Sequence, residues 1–124
     1  MEFISSDKAP KAVGPYSQAI LVDGFMFLSG QIPLDPATGQ IAAGDIEVQT
    51  HQVFKNIRAV LAEKQMTLYH VLKTTVFMKD LADYKKMNAV YDQQFSGHKP
   101  ARSTVQVAAL PLGSLIEIEC IAKI

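Results

Sequence analysis

Apolar and polar positions alternate with a period near two in several short stretches of this chain, and near 3.6 in two longer ones. Phe3 to Ser5 reads as a short edge strand. Gln18 to Val22 and Phe25 to Ser29 read as strands joined by Asp23-Gly24. That dipeptide favours a type I′ hairpin, because both central residues must take positive φ. Gly30 marks a bulge or a close backbone approach. Gln31 to Gly44, with Pro33, Pro36, Gly39 and Gly44, reads as a long surface loop. Helical spacing runs from Asp45, a suitable N-cap, to Lys64. Ile46, Val53, Ile57, Val60 and Leu61 share its apolar stripe, with Gln49, Gln52 and Asn56 largely off it. Val71 to Lys79 is a β-branched strand with apolar groups on both faces. Asp80 caps a second helix that reaches Phe95, with Leu81, Tyr84, Met87 or Asn88, Tyr91 and Phe95 as its buried stripe. Arg102 to Val107 and Leu115 to Ile121 complete the pattern.

The order β-β-β-α-β-α-β-β predicts a single α+β domain over residues 1–124, with one mixed sheet of six strands and both helices on one face. In the last strand Ile116, Ile118, Cys120 and Ala122 suit the covered face. Leu115, Glu117, Glu119 and Ile121 fall on the other, which Phe77 joins. An uncovered face mixing apolar and acidic groups is poorly suited to water, so the chain is expected to associate with copies of itself through it.

Composition narrows the classes. The chain has 124 residues, a formal net charge of zero and no basic run longer than Lys85-Lys86, which argues against a nucleic-acid surface. No apolar stretch reaches the roughly 20 residues of a membrane helix. The N-terminal MEFISSDKAP does not read as a signal peptide, so a cytoplasmic location is expected. One cysteine, Cys120, leaves no internal disulfide and no multi-cysteine zinc site, and its place on the covered face makes it inert. His51, His70 and His98 lack ligand spacing and read as solvated; no metal or organic cofactor is expected.

The remaining chemistry lies at a few positions. Arg102 begins one strand, while Glu117 and Glu119 sit inside an apolar run. A guanidinium fork matches a carboxylate, so Arg102 serves either a small anion or a plain cross-strand pair with one of the glutamates. Spacing leaves both open. Tyr16 follows Gly14-Pro15 at a strand start. Ser29-Gly30 offers a hydroxyl beside an accessible backbone N–H. Asn88 lies near Tyr84 and Tyr91, where a buried amide needs partners.

Several blocks together closely resemble the RidA/YjgF/UK-type family of reactive intermediate deaminases. They are Gly14-Pro15-Tyr16-Ser17-Gln18-Ala19, Ser29-Gly30-Gln31-Ile32-Pro33, Lys73 to Phe77, Met87 to Tyr91, Pro100-Ala101-Arg102-Ser103, Ala108 to Pro111, and Ile116-Glu117-Ile118-Glu119. The resemblance covers nearly the whole chain. It implies a chorismate-mutase-like fold assembled as a homotrimer, with a barrel-like centre and ligand clefts between subunits. It also implies hydrolysis of enamine and imine intermediates, such as 2-iminobutanoate and 2-iminopropanoate from PLP-dependent dehydratases, to 2-oxo acids and ammonia, without a cofactor. By position, Arg102 resembles the arginine that clamps the substrate carboxylate and Glu117 the glutamate that positions the attacking water. Tyr16, Ser29, Gly30 and Asn88 resemble cleft-lining positions. With Arg102 close by, Glu117 is expected to keep a low pKa. Two departures stand out: Thr104 replaces a cysteine common in deaminase-active relatives, and the Ser96–Lys99 loop is shorter than in enterobacterial members. The first is expected to tune substrate range, the second to reshape the cleft rim. The same family also implies two alternatives, a non-catalytic carboxylate-binding regulator and, less favoured on charge, an endoribonuclease or translation inhibitor.

Overall fold

A computed structural model describes all residues from Met1 to Ile124. Strands β1 (Glu2–Ile4), β2 (Ala19–Val22) and β3 (Phe25–Gln31) lead through a small hairpin, β4 (Leu34–Asp35) and β5 (Gln40–Ile41), into helix α1 (Ile46–Ala62). Strand β6 (Val71–Met78), helix α2 (Tyr84–Phe95) and strands β7 (Ala101–Gln106) and β8 (Ile116–Lys123) follow. The main sheet has the order β1-β2-β3-β8-β6-β7. Only β6 and β7 pair in parallel, joined by the crossover helix α2 that such a pairing needs. The mixed six-stranded sheet with two helices is as expected.

Local chemistry accounts for the joints. Asp23 and Gly24 both take positive φ, 50° and 79°, as the hairpin requires. The β3–β8 register shifts between Leu28 and Gln31, placing a bulge at Ser29-Gly30. The Asp45 carboxylate accepts from the backbone N–H groups of Glu47 and Val48 and so starts α1. In the core, Val53, Phe54, Ile57, Val60 and Leu61 of α1 pack with Met26, Val76, Met78, Ile116 and Ile118 from the covered face of the sheet. Each such side chain contributes roughly 1.5–3 kcal/mol on burial. Phe54 stands edge-on to Tyr91 and Phe95 of α2, at 5.6 and 5.5 Å between ring centres, and locks the two helices together.

Four local expectations need correction. Gln49 and Asn56 of α1 are buried. The Asn56 amide donates to the carbonyls of Ile32 and Leu34, and the Gln49 side chain accepts from Leu115 N–H, so α1 satisfies loop backbone that water cannot reach. Asp80 caps a 3-10 turn at Leu81–Asp83 rather than the α-helix; Leu81 and Tyr84 are exposed, and Val90 joins the buried stripe instead. The Gln31–Gly44 segment is not plain loop, since β4 and β5 pair within it. His98 is half-buried, donates from Nε2 to the Val71 carbonyl at 2.6 Å and packs against Tyr69 and Phe95. His51 is exposed and bonds Gln94, and His70 closes a capping box with Thr67.

The other sheet face has no helix. Phe3, Ile20, Phe27 and Ile121 stand opposite one another in a row across β1, β2, β3 and β8. Phe3 is 69% exposed and Phe27 44%.

Candidate active site

Arg102 projects from β7, an edge strand, onto the helix-covered side. Its Nη1 donates to Asn88 Oδ1 and its Nη2 to the Tyr84 hydroxyl, each at 2.7 Å. The guanidinium also lies over the Tyr91 ring, 4.6 Å from its centre, and 5.6 Å from that of Tyr84. Tyr84, Asn88 and Tyr91 fall at helical spacing on α2, so one helix face forms the cradle. Tyr91 is itself fixed by a 2.7 Å hydrogen bond shared with Thr74. Burial, partly offset by Thr74 and Arg102, holds the Tyr91 hydroxyl above the ordinary tyrosine pKa. No carboxylate pairs with Arg102; the chain's one ion pair joins Lys64 to Glu2. A cation held by neutral acceptors and ring faces keeps most of its charge available to an anion. A cavity of about 580 Å³ opens beside it, bordered by Lys85, Asn88, Asp92, His98 and Lys99. Two residues along, Thr104 Oγ1 is buried without a hydrogen-bond partner, an unmet need in the same strand.

Glu117 lies elsewhere. Register decides this: Arg102 stands opposite Thr74, and Thr74 opposite buried Cys120, whereas Glu117 stands opposite Phe77 on the open face. Paired residues point to the same side of a sheet, so within one protomer Arg102 and Glu117 are on opposite faces. The cross-strand ion pair with either glutamate is therefore not formed. The low pKa expected for Glu117 is overturned for the same reason. Burial, and then the neighbouring Glu119 carboxylate, raise it above the ordinary carboxylate value. Cys120 is buried on the covered face as expected, its thiol pushed up to about 12 by burial and then by Glu119.

The bulge places Gly30 against Glu117. A Cβ on Gly30 would stand 2.7 Å from Glu117 Oε1, so only glycine leaves that carboxylate where it is. The Ser29 hydroxyl donates to the Ser17 carbonyl at 2.6 Å, and Ser29 N–H to Gln18 O at 3.0 Å. Its proton is thus engaged in holding the loop that carries Tyr16, not free for an anion. Tyr16 is 54% exposed, with its ring against Gly14. Tyr16 and Gly30 border one smaller cavity. The candidate residues therefore form two clusters: Arg102, Asn88 and Thr104 at the β7 edge, and Tyr16, Ser29, Gly30 and Glu117 around the β3 bulge. The Tyr84 and Tyr91 parts of the arginine cradle were visible in sequence only as helix-stripe aromatics. No three His, Cys, Asp or Glu side chains come together as a metal-binding cluster, and no helix is long and apolar enough to cross a membrane.

Known proteins are similar to this chain in sequence and fold over nearly its whole length. The family described as Endoribonuclease L-PSP matches residues 6–124. The human protein named 2-iminobutanoate/2-iminopropanoate deaminase is 46% identical over 119 residues, covering 96% of this chain and 87% of its own. A Yersinia pestis protein, YyfA, of the Rid protein family superposes with a TM-score of 0.96 at 48% identity, covering 99% of this chain and 98% of that one. Escherichia coli TdcF, solved with bound serine, gives 0.95 at 38% identity over 100% and 99%. The chain belongs to the Endoribonuclease L-PSP family, the Rid family that includes reactive intermediate deaminases.

Proposed function

We propose that this protein hydrolyses reactive 2-imino acids, such as 2-iminobutanoate and 2-iminopropanoate, to 2-oxo acids and ammonia, in a cleft between subunits of a homotrimer. The observation that carries this is Arg102, a fixed guanidinium with no carboxylate partner beside an open cavity. It offers a bidentate seat for a substrate carboxylate. Because Arg102 and Glu117 lie on opposite faces of one sheet, the site is completed by a second copy, which brings its Glu117 side to the Arg102 edge.

An imine carbon is already electrophilic, so the protein needs only to orient substrate and water and to move protons. Glu117 accepts a proton from water as the oxygen bonds to the imine carbon. The C=N pair moves to nitrogen, which is protonated. The resulting carbinolamine loses ammonia as its hydroxyl proton leaves, giving the 2-oxo acid. The raised pKa of Glu117 suits this role, since it makes the carboxylate a stronger proton acceptor than an ordinary one. Asn88 holds the arginine, Tyr16 and Gly30 line the water side, and Thr104 Oγ1 gains a partner when substrate binds.

The test is release of 2-oxobutanoate from the imine made by a threonine dehydratase, in competition with semicarbazide. The wild-type protein should accelerate it, and Arg102→Ala should lower kcat/KM about 10²-fold or more, the cost of losing a charge-assisted contact to the substrate carboxylate. Equal rates for the two proteins would sink the assignment. TdcF holding serine also favours a second reading, a carboxylate-binding regulator. Binding of 2-oxobutanoate without turnover would support it.

A further inference from the structure

Beside Gly30 and Tyr16 lies a cavity of about 200 Å³ whose walls are largely apolar, with Val13, Ile32, Leu34 and Leu112 among them. Leu112 carries two penalties at once. Its φ is +56°, a left-handed conformation that favours glycine or asparagine, and its side chain is 70% exposed. Neither serves the hydrophobic core, in which Leu112 takes no part. Val13, across the cavity, is 84% exposed. The cavity adjoins the Glu117 side of the site: Gly30 is part of its wall, and a Cβ there would stand 2.7 Å from Glu117 Oε1. A substrate whose imine carbon sits at the Glu117 water, with its carboxylate on Arg102, has one substituent left to place.

Resting on the imine-hydrolysis reading, we infer that this cavity receives the substrate side chain and that Leu112 is a specificity-determining residue, selecting 2-imino acids with branched aliphatic side chains over the smallest ones. The volume accommodates a side chain of leucine size. Aliphatic groups rather than charged ones fit walls of this kind, where one cation, Lys11, borders the opening. An apolar pocket distinguishes ligands by the methylenes it buries, about 10- to 200-fold for each well-packed one.

The experiment generates the imines from leucine and from alanine with an amino-acid oxidase and catalase, and follows semicarbazide adducts with and without the protein. Leu112→Asn is the chosen variant, because asparagine is at ease at positive φ and the fold is not put at risk. Wild type should prefer the leucine-derived imine. The variant should lose about tenfold in kcat/KM on it while staying within about twofold on the alanine-derived one. An unchanged ratio of the two substrates in the variant overturns the inference and leaves imine hydrolysis standing. So does an equal loss on both, or a change in sedimentation, which would make the cavity a subunit contact. Wild-type preference for the alanine-derived imine also overturns it. If wild type hydrolyses neither imine, the underlying assignment fails, and this inference with it.

Discussion

Two side chains set the chemistry of the arginine. Asn88 and Tyr84 accept from its two terminal nitrogens, so the planar fork is held in one orientation before an anion arrives. Tyr84→Phe removes one acceptor and keeps the ring. It should raise KM about two- to tenfold and leave kcat nearly unchanged, since it loosens the seat without touching the reacting carbon. A fall in kcat with KM constant would show that Tyr84 acts in the chemical step instead. Glu117 depends on its surroundings in a different way. In the proposed reaction it must be ionised to accept a proton, so activity should decline as pH falls through its raised pKa. Burial is the larger cause of that rise and Glu119 the second. Glu119→Gln removes only the second, so the acid limb of the kcat/KM profile should move part of the way toward lower pH. An unmoved limb would mean that Glu119 does not bear on the group that titrates.

The bulge in β3 is the element that shapes the surroundings of Glu117. It turns Gly30 toward Glu117 and aligns Ser29 to hold the Tyr16 loop. Its extra residue breaks the β3–β8 ladder locally, and that break gives the Glu117 carboxylate its place. Gly30→Ala would add a methyl group 2.7 Å from Glu117 Oε1 and 2.8 Å from its Cδ. The side chain must then rotate away. We expect kcat to fall sharply while the melting temperature changes by only a few degrees, because nothing in the core is disturbed. Unchanged kinetics in this variant would show that the position of Glu117 is unimportant. Helix α2 plays the matching part for the other cluster: Tyr84 and Asn88 hold Arg102 from its outer side, Tyr91 bridges cradle and core, and Met87, Val90 and Phe95 fix the helix from its buried side.

At the scale of the molecule, the helix-free face sets the terms. The row Phe3, Ile20, Phe27 and Ile121 exposes apolar area that water tolerates poorly. Burial against other copies would shelter it and bring unlike clusters together. A mixing experiment tests this directly. Arg102→Ala and Glu117→Gln proteins, each inactive alone, should regain activity when refolded together in equal amounts. Random pairing leaves roughly a quarter of the interfaces with both groups intact in a head-to-tail ring. No recovery from mixed, correctly assembled oligomers would refute the shared cleft.

Much of this was legible in the chain because it rests on local physics. Side-chain period, the Asp23-Gly24 turn and the Asp45 cap need only neighbouring residues, so the strands, helices and their order followed from them. The alternation of Ile116, Glu117, Ile118 and Glu119 likewise shows that the acids and the core residues of β8 are on opposite sides. What it does not show is which side of β8 shares a face with Arg102. That depends on strand order and register, through Thr74 opposite both Arg102 and Cys120, pairings between segments far apart in the chain. The buried Gln49 and Asn56 escaped for a similar reason: a polar residue on a helix goes inside only where distant backbone groups need it, and those loops are placed by the fold. Sequence alone thus determined the parts and singled out the arginine and the glutamate. The tertiary structure decided that they lie on opposite faces, because facing is a property of paired strands and not of either strand by itself.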